Sequence, residues 1–188
     1  LIVIRAFVGV RIDPNVAQKI SELQSQLKGS VKGIRWVRRE NIHFTLKFLG
    51  PVKEERIEGI TEVLQQTLRP ISRVPIIARG IGVFPDIKKA RVLWVGLEGK
   101  SLAPLAMDVE NALEPLGFTQ EKRAFKPHLT IGRWRDFSGP LKGLKEEIER
   151  WKDYDFGESW VEEVVFFQSV LKPQGAVYSP LGVIPLSN

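Results

Sequence analysis

The sequence predicts an α+β fold in which one unit of strands and helices is used twice. Each half of the 188-residue chain offers strands with amphipathic helices, and each carries one of the only two histidines. Each histidine sits in a strand-like segment and has a threonine two residues after it, at His43-Phe-Thr45 and His128-Leu-Thr130. The length suffices for one core shared by two lobes, and 43% hydrophobic residues is ordinary for a folded domain. No linker or low-complexity stretch interrupts the chain, so residues 1–188 are read as a single bilobal domain.

In order, residues 2–11 alternate in apolar character and read as a strand. Asp13 suits an N-cap with Pro14 at the first helical position, and Val16, Ile20, Leu23 and Leu27 recur at helical spacing up to Gly29. Short strands follow at 34–37 and 42–49. Pro51 is expected to open a second helix, with the stripe Ile57, Ile60, Leu64 and Leu68 ending before Pro70. The second half repeats the theme. Strands are expected at 74–83 and 91–98, a helix from Ser101 to Leu116, a strand at 125–132 and a helix from Pro140 to Trp151. Two strands, 160–171 and 176–184, close the chain.

Composition narrows the chemistry. There is no cysteine, which excludes disulfides, zinc-thiolate sites and thiol catalysis and points to a cytoplasmic protein. No apolar run reaches the ~20 residues needed to span a bilayer, and Arg5 and Arg11 break the opening as a signal-peptide core. Net charge is +6, but residues 28–56 alone carry eight Lys/Arg against three Glu, and residues 120–135 carry five against one. The positive charge therefore clusters around the two histidine segments. That distribution points to a polyanionic partner, bound through flanks that include Arg38, Arg39, Lys122, Arg123 and Arg135.

In a strand, His and Thr two residues apart project from one face, while Phe44, Leu46, Leu129 and Ile131 anchor the other. A lone strand histidine is more often structural than catalytic. Two random histidines would both gain such a threonine only about 7 times in 10,000, given five threonines in 188 residues. Imidazole suits paired acid and base work, since one ring can be neutral and another protonated near neutral pH. Opening a cyclic phosphodiester needs a base, an acid and donors for the nonbridging oxygens, and two histidines with two threonine hydroxyls supply that set without a metal. Lys47 would continue the His43 and Thr45 face of a regular strand, although a surface role is its default reading. Arg133, just beyond Gly132 where the second strand is expected to end, is the better phosphate ligand.

The segments His43-Phe-Thr-Leu-Lys-Phe-Leu-Gly50 and Lys126-Pro-His128-Leu-Thr-Ile-Gly-Arg133 resemble the paired HxTx motifs of the 2H phosphoesterases. The likeness is closest to the RNA 2′,3′-cyclic phosphodiesterase family, formerly called 2′-5′ RNA ligases. Ile4-Arg-Ala-Phe-Val-Gly-Val10, Gly82-Val-Phe-Pro85 and Ala90-Arg-Val-Leu-Trp-Val-Gly-Leu97 resemble the family's first strand and central hairpin. The resemblance implies two antiparallel sheets flanked by helices, related by a pseudo-twofold axis, with both motifs facing a central cleft. It implies a monomer that opens RNA 2′,3′-cyclic phosphate ends to 2′-phosphomonoesters without cofactor or metal, and that in some members joins tRNA halves by the reverse chemistry. Carried over, His43 is the proton donor and His128 the proton acceptor. Thr45, Thr130 and Arg133 hold the phosphate, and Phe84 and Arg91 lie along the substrate cleft with Trp94, for which core packing is the stronger reading.

Decoy motifs fail on inspection. Gly99-Lys100-Ser101 would need glycine at position 94 to form a phosphate-binding loop, but that residue is Trp94; Gly80-Ile-Gly82 fails as a dinucleotide fingerprint at Pro85. No carboxylate or third histidine adjoins either motif at ligand spacing. The rival reading is a noncatalytic nucleotide- or RNA-binding module using the same cleft, since one fold hosts several functions.

Overall fold

The computed structural model describes residues 2–135 and 142–188. It contains two antiparallel sheets. One has the order β3-β1-β8-β9 and the other β2-β6-β5-β4-β7, with strands β1 (Val3–Arg11), β2 (Ile34–Trp36), β3 (His43–Lys53), β4 (Val74–Phe84), β5 (Val92–Glu98), β6 (His128–Trp134), β7 (Asp155–Val161), β8 (Glu163–Lys172) and β9 (Gly175–Pro185). The helices are α1 (Pro14–Leu27), α2 (Ile57–Leu68), α3 (Leu102–Leu113) and α4 (Leu144–Trp151). Strands β3-β1-β8-β9 correspond in order to β6-β5-β4-β7, with β2 added at the edge beside β6. The duplicated α+β architecture expected from the sequence is therefore present.

Helix α1 starts as its sequence dictates. Asp13 accepts the Asn15 N–H at 2.8 Å with Pro14 in the first turn, and Val16, Ala17, Ile20, Leu23 and Leu27 are buried along one stripe. The same stripe buries Gln24, whose Nε2 donates to the carbonyls of Val37 at 2.8 Å and Ile131 at 2.9 Å. A buried amide left unpaired is costly, so Gln24 fixes α1, the end of β2 and the middle of β6 relative to one another. The main core joins Ala6, Val8 and Val10 of β1, Phe44 and Leu46 of β3, Leu129 and Ile131 of β6, and the inner faces of α1, α2 and α3. Phe7 projects from the opposite face of β1 into a separate small cluster with Val165, Phe167 and Tyr178.

Several expectations need correction. Pro51 does not open a helix: β3 runs through it to Lys53, a 3₁₀ turn covers Glu54–Arg56, and α2 begins at Ile57. Because β3 is the edge of its sheet, a residue without an N–H is tolerated there. The helix expected to reach Leu116 ends at Leu113 and tightens into a 3₁₀ turn, closed by Gly117 at φ 85°. Strand β6 starts at His128 and includes Arg133, so the arginine lies within the strand instead of beyond it. The closing region holds three strands instead of two. The unforeseen β7 buries Phe156, Val161 and the polar Ser159 and has a register shift, which leaves a weak alternation to read. The start of the helix expected at Pro140 lies outside the described residues; its remainder is α4.

Candidate active site

His43 and His128 open β3 and β6, the equivalent strands of the two sheets. Each ring is held in the same way. His43 Nδ1 lies 2.7 Å from the Asn41 carbonyl, and His128 Nδ1 lies 2.6 Å from the Lys126 carbonyl. A carbonyl oxygen only accepts, so each Nδ1 carries the hydrogen and each neutral ring keeps its lone pair on Nε2. His43 Nε2 is 3.2 Å from Thr45 Oγ1, which pairs the two polar groups of the first motif. Close approach of β1 is possible because residue 9 is glycine: a Cβ there would lie 2.8 Å from the Phe44 carbonyl and 3.4 Å from His43 Cδ2.

Both strands break their pleat just after the threonine. Between β1 and β3, Val8 pairs with Lys47 and Gly9 with Thr45, leaving Leu46 as the extra residue of a β-bulge. Between β5 and β6, Leu93 pairs with Gly132 and Trp94 with Thr130, leaving Ile131 in the equivalent place. A bulge resets which face successive side chains occupy. Lys47 consequently does not continue the His43 and Thr45 face, and it is not on the surface. It turns inward and is 6% exposed, ion-paired with buried Glu110, and it donates to the Thr119 carbonyl at 2.8 Å. The cleft face passes instead to Phe48 on β3 and to Arg133 on β6, each five residues after its histidine.

The two sides of the cleft differ in chemistry. Around His43 stand Phe7 with ring centroids 4.9 Å away and Tyr178 at 5.0 Å, and Phe167 and Phe48 pack on Phe7 at 4.9 and 6.1 Å. Around His128, Phe84 packs edge-on at 4.9 Å and Trp94 lies at 6.5 Å, with Lys126 Nζ 6.0 Å from the Phe84 ring. Half-buried Trp94 lies across the Gly82 backbone, where a Cβ would come within 2.2 Å of the indole. Arg91 turns its guanidinium to the Arg135 carbonyl at 2.9 Å. Thr130 shares the His128 strand, one residue before the bulge.

Electrostatics tie the two sides together. Burial holds the pKa of His43 below the ordinary imidazole value; its bond to the Asn41 carbonyl opposes this, and the charges of Arg133 and His128 add to the lowering. His128 is lowered too, first by burial, against its bond to the Lys126 carbonyl, and then by Arg133. The charge of Arg133 on β6 therefore acts on both rings. Burial raises the Tyr178 phenol, and Arg133 and Arg5 pull it the other way. Among the described residues no group of three or more His, Asp or Glu side chains is placed to hold a metal ion, and no helix is long and apolar enough to cross a membrane.

A family model described as LigT-like phosphoesterase matches residues 10–94 and again 95–178, one match for each half. The chain belongs to the LigT-like phosphoesterase family. It is 38% identical over 174 residues to a protein of Methanocaldococcus jannaschii named RNA 2′,3′-cyclic phosphodiesterase, covering 93% of this chain and 96% of the relative. A protein of the same name from Methanothermobacter thermautotrophicus is 35% identical over 186 residues, covering 97% and 99%. Among solved structures, TT0787 of Thermus thermophilus superposes with a TM-score of 0.80 at 26% identity, covering 96% and 97% of the two chains. E. coli LigT complexed with 3′-AMP shares the fold at a TM-score of 0.79 and 20% identity over both whole chains. The LigT-like repeat divides between Trp94 and Val95, and each repeat carries one histidine motif with a bulge directly after its threonine.

Sequence reasoning did not single out Phe7, Phe48, Phe167 and Tyr178 around His43, nor Gln24 and Glu110 behind the bulges. Phe7 was visible only as an aromatic on the mixed face of the first strand, and nothing local marks the others.

Proposed function

We propose that this protein is an RNA 2′,3′-cyclic phosphodiesterase that opens the cyclic phosphate to a 2′-phosphomonoester with two histidines and no metal. The observation that carries this reading is the pair of imidazoles, each with Nδ1 fixed on a backbone carbonyl so that protons move only through Nε2, which in His43 faces the Thr45 hydroxyl, with the charge of Arg133 acting on both. The names of the relatives from Methanocaldococcus and Methanothermobacter support the same substrate.

In this mechanism a water oxygen attacks phosphorus while its proton passes to His128 Nε2. The bond from phosphorus to the 3′ oxygen breaks, and that oxygen takes the proton of His43 Nε2. Thr45, Thr130 and Arg133 hold the nonbridging oxygens, so the developing charge meets preset donors. A ring whose Nδ1–H is fixed can act as acid or base only through Nε2, which suits both histidines to an in-line displacement from opposite sides. Phe84 and Arg91 border the substrate on the His128 side. The enzyme acts as a single-domain monomer in the cytoplasm, and tRNA halves are among its RNA ends, joined through a 2′-5′ bond when an RNA 5′ hydroxyl takes the place of water.

The test is an oligonucleotide ending in a 2′,3′-cyclic phosphate, incubated with purified protein and EDTA. A 2′-phosphate product is expected. Activity lost to EDTA and restored by a divalent ion would overturn the metal-free mechanism, and binding without turnover would favour a noncatalytic module.

A further inference from the structure

Strand β2 is only three residues long, yet it places Arg35 directly opposite Arg133 of β6. Directly paired residues of antiparallel strands share a face, with Cα atoms about 4.5–5.5 Å apart. The face is settled from the other side as well. Gly132 leaves its space to Ile34 and Trp36, since a Cβ there would lie 2.3 Å from Ile34 Cδ1, so the neighbours of Arg35 in β2 pack away from the cleft. Arg35 therefore stands beside Arg133 on the cleft face, exposed, on a strand that among the described residues is the edge of its sheet.

Like charges directly across a strand pair are destabilising. A protein usually relieves such a pair with a carboxylate. Here Val92 of β5 occupies the other side of Arg133, and among the described residues neither guanidinium has an ion pair or hydrogen bond to a protein group. Two adjacent guanidiniums left in this state call for anions, and their fixed forks suit phosphate oxygens.

We infer that Arg35 forms a second phosphate subsite, which takes the internucleotide phosphate of the terminal ribose while Arg133 attends the cyclic phosphate on the same sugar. The inference rests on the phosphodiesterase reading above and deepens it. An RNA 3′ end carries one reacting phosphate at the 2′ and 3′ oxygens and the next at the 5′ oxygen of that ribose, so one sugar spans two anions. A pair of arginines one strand apart matches this arrangement. A cyclic mononucleotide without a 5′ phosphate offers only one of the two, and the site thereby distinguishes a chain end from a free nucleotide.

Three substrates test this: adenosine 2′,3′-cyclic phosphate, the ApA dinucleotide with the same cyclic end, and that dinucleotide with a neutral methylphosphonate linkage. The parent protein is expected to favour the charged dinucleotide over both others by about 10- to 100-fold in kcat/KM, mainly through KM, as suits one charge-assisted contact. Arg35→Gln should bring that ratio close to one and unfold at no lower temperature, because the cross-strand repulsion is gone. Arg35→Lys, the more conservative variant should Arg35→Gln fold poorly, should keep part of the preference and lose it as salt rises. An equal loss on all three substrates in Arg35→Gln would mean that both arginines grip one phosphate, and it overturns the subsite. Parent activity with no preference overturns the subsite alone, whereas a parent inactive on all three overturns the phosphodiesterase reading as well.

Discussion

Lys47→Met should be among the most damaging single changes outside the histidines. The Lys47 and Glu110 side chains are 4% and 11% exposed, and among the described residues they have, besides each other, only the Thr119 carbonyl at 2.8 Å and the Glu121 N–H at 3.3 Å. Removing the lysine strands a buried carboxylate on one long backbone bond. Breaking a buried pair this way costs about 3–5 kcal/mol. In a chain of this size each kcal/mol moves the midpoint by about 2–4 °C, so Tm should fall by roughly 6–20 °C. The double variant Lys47→Met/Glu110→Leu removes both desolvation penalties and should recover at least about half of the loss, the sign of strong coupling. Glu110→Gln should fall between, because its amide oxygen can still accept from Lys47. Thermal and urea unfolding of the parent, Lys47→Met, Glu110→Leu and the double variant measures the cycle. Additive losses, or an unchanged midpoint in Lys47→Met, would refute the argument that this pair anchors β3 behind its bulge.

Other outcomes follow from the site. His43→Ala and His128→Ala should each lower kcat/KM by ~100- to 10,000-fold, the double variant should be only modestly worse, and Thr45→Ala or Thr130→Ala should cost less; near-normal turnover in either folded histidine variant would end the paired mechanism. Because both imidazoles are lowered in the free protein, the pH profile of kcat/KM should be a bell centred below the ordinary imidazole value, its base-side limb falling where the acid loses its proton and its acid-side limb where the base gains one. Bound phosphate favours protonated imidazole, so the kcat profile should lie at higher pH than that of kcat/KM. Unfolded histidines bind protons more readily than these two, so stability should drop as pH falls through about 6.5 toward the lowered folded values, and less so in His43→Gln. Gly82→Ala would place a Cβ 2.2 Å from Trp94, costing about 1–3 kcal/mol and displacing the aromatics beside His128. Gly59→Ala in α2, where a Cβ meets nothing within 4 Å, should instead stabilise by about 1 kcal/mol, and the two midpoints measured together separate crowding from helix propensity.

What could be read from the sequence was local. His43 and Thr45 share a face because strands alternate, and α1 announces itself through Asp13, Pro14 and its apolar stripe. The error over Lys47 has a nonlocal cause: Leu46 becomes an extra residue only when β3 meets β1, and no property of the segment reveals that register. Pro51 misled for a related reason, since its tolerance depends on β3 being an edge. Strand β7 escaped because Ser159 and Gly157 dilute its pattern. Arg133 is singled out by its place after Gly132, but its emergence on the face of His128 and Thr130 depends on a bulge between β5 and β6. Arg35 looked like one cation among eight in a basic stretch until β2 paired with β6.

The matched bulges give the two repeats a shared freedom. Each inserts a single residue after the threonine, so the first part of the strand stays committed to histidine and threonine while the position five residues after the histidine emerges again on the working side. The two repeats can differ there without disturbing the paired histidine and threonine or the core behind them. One copy now presents the ring of Phe48, the other the cation of Arg133. Two imidazoles held alike thus stand in unlike company, and a site with nearly twofold-symmetric hardware acquires a direction.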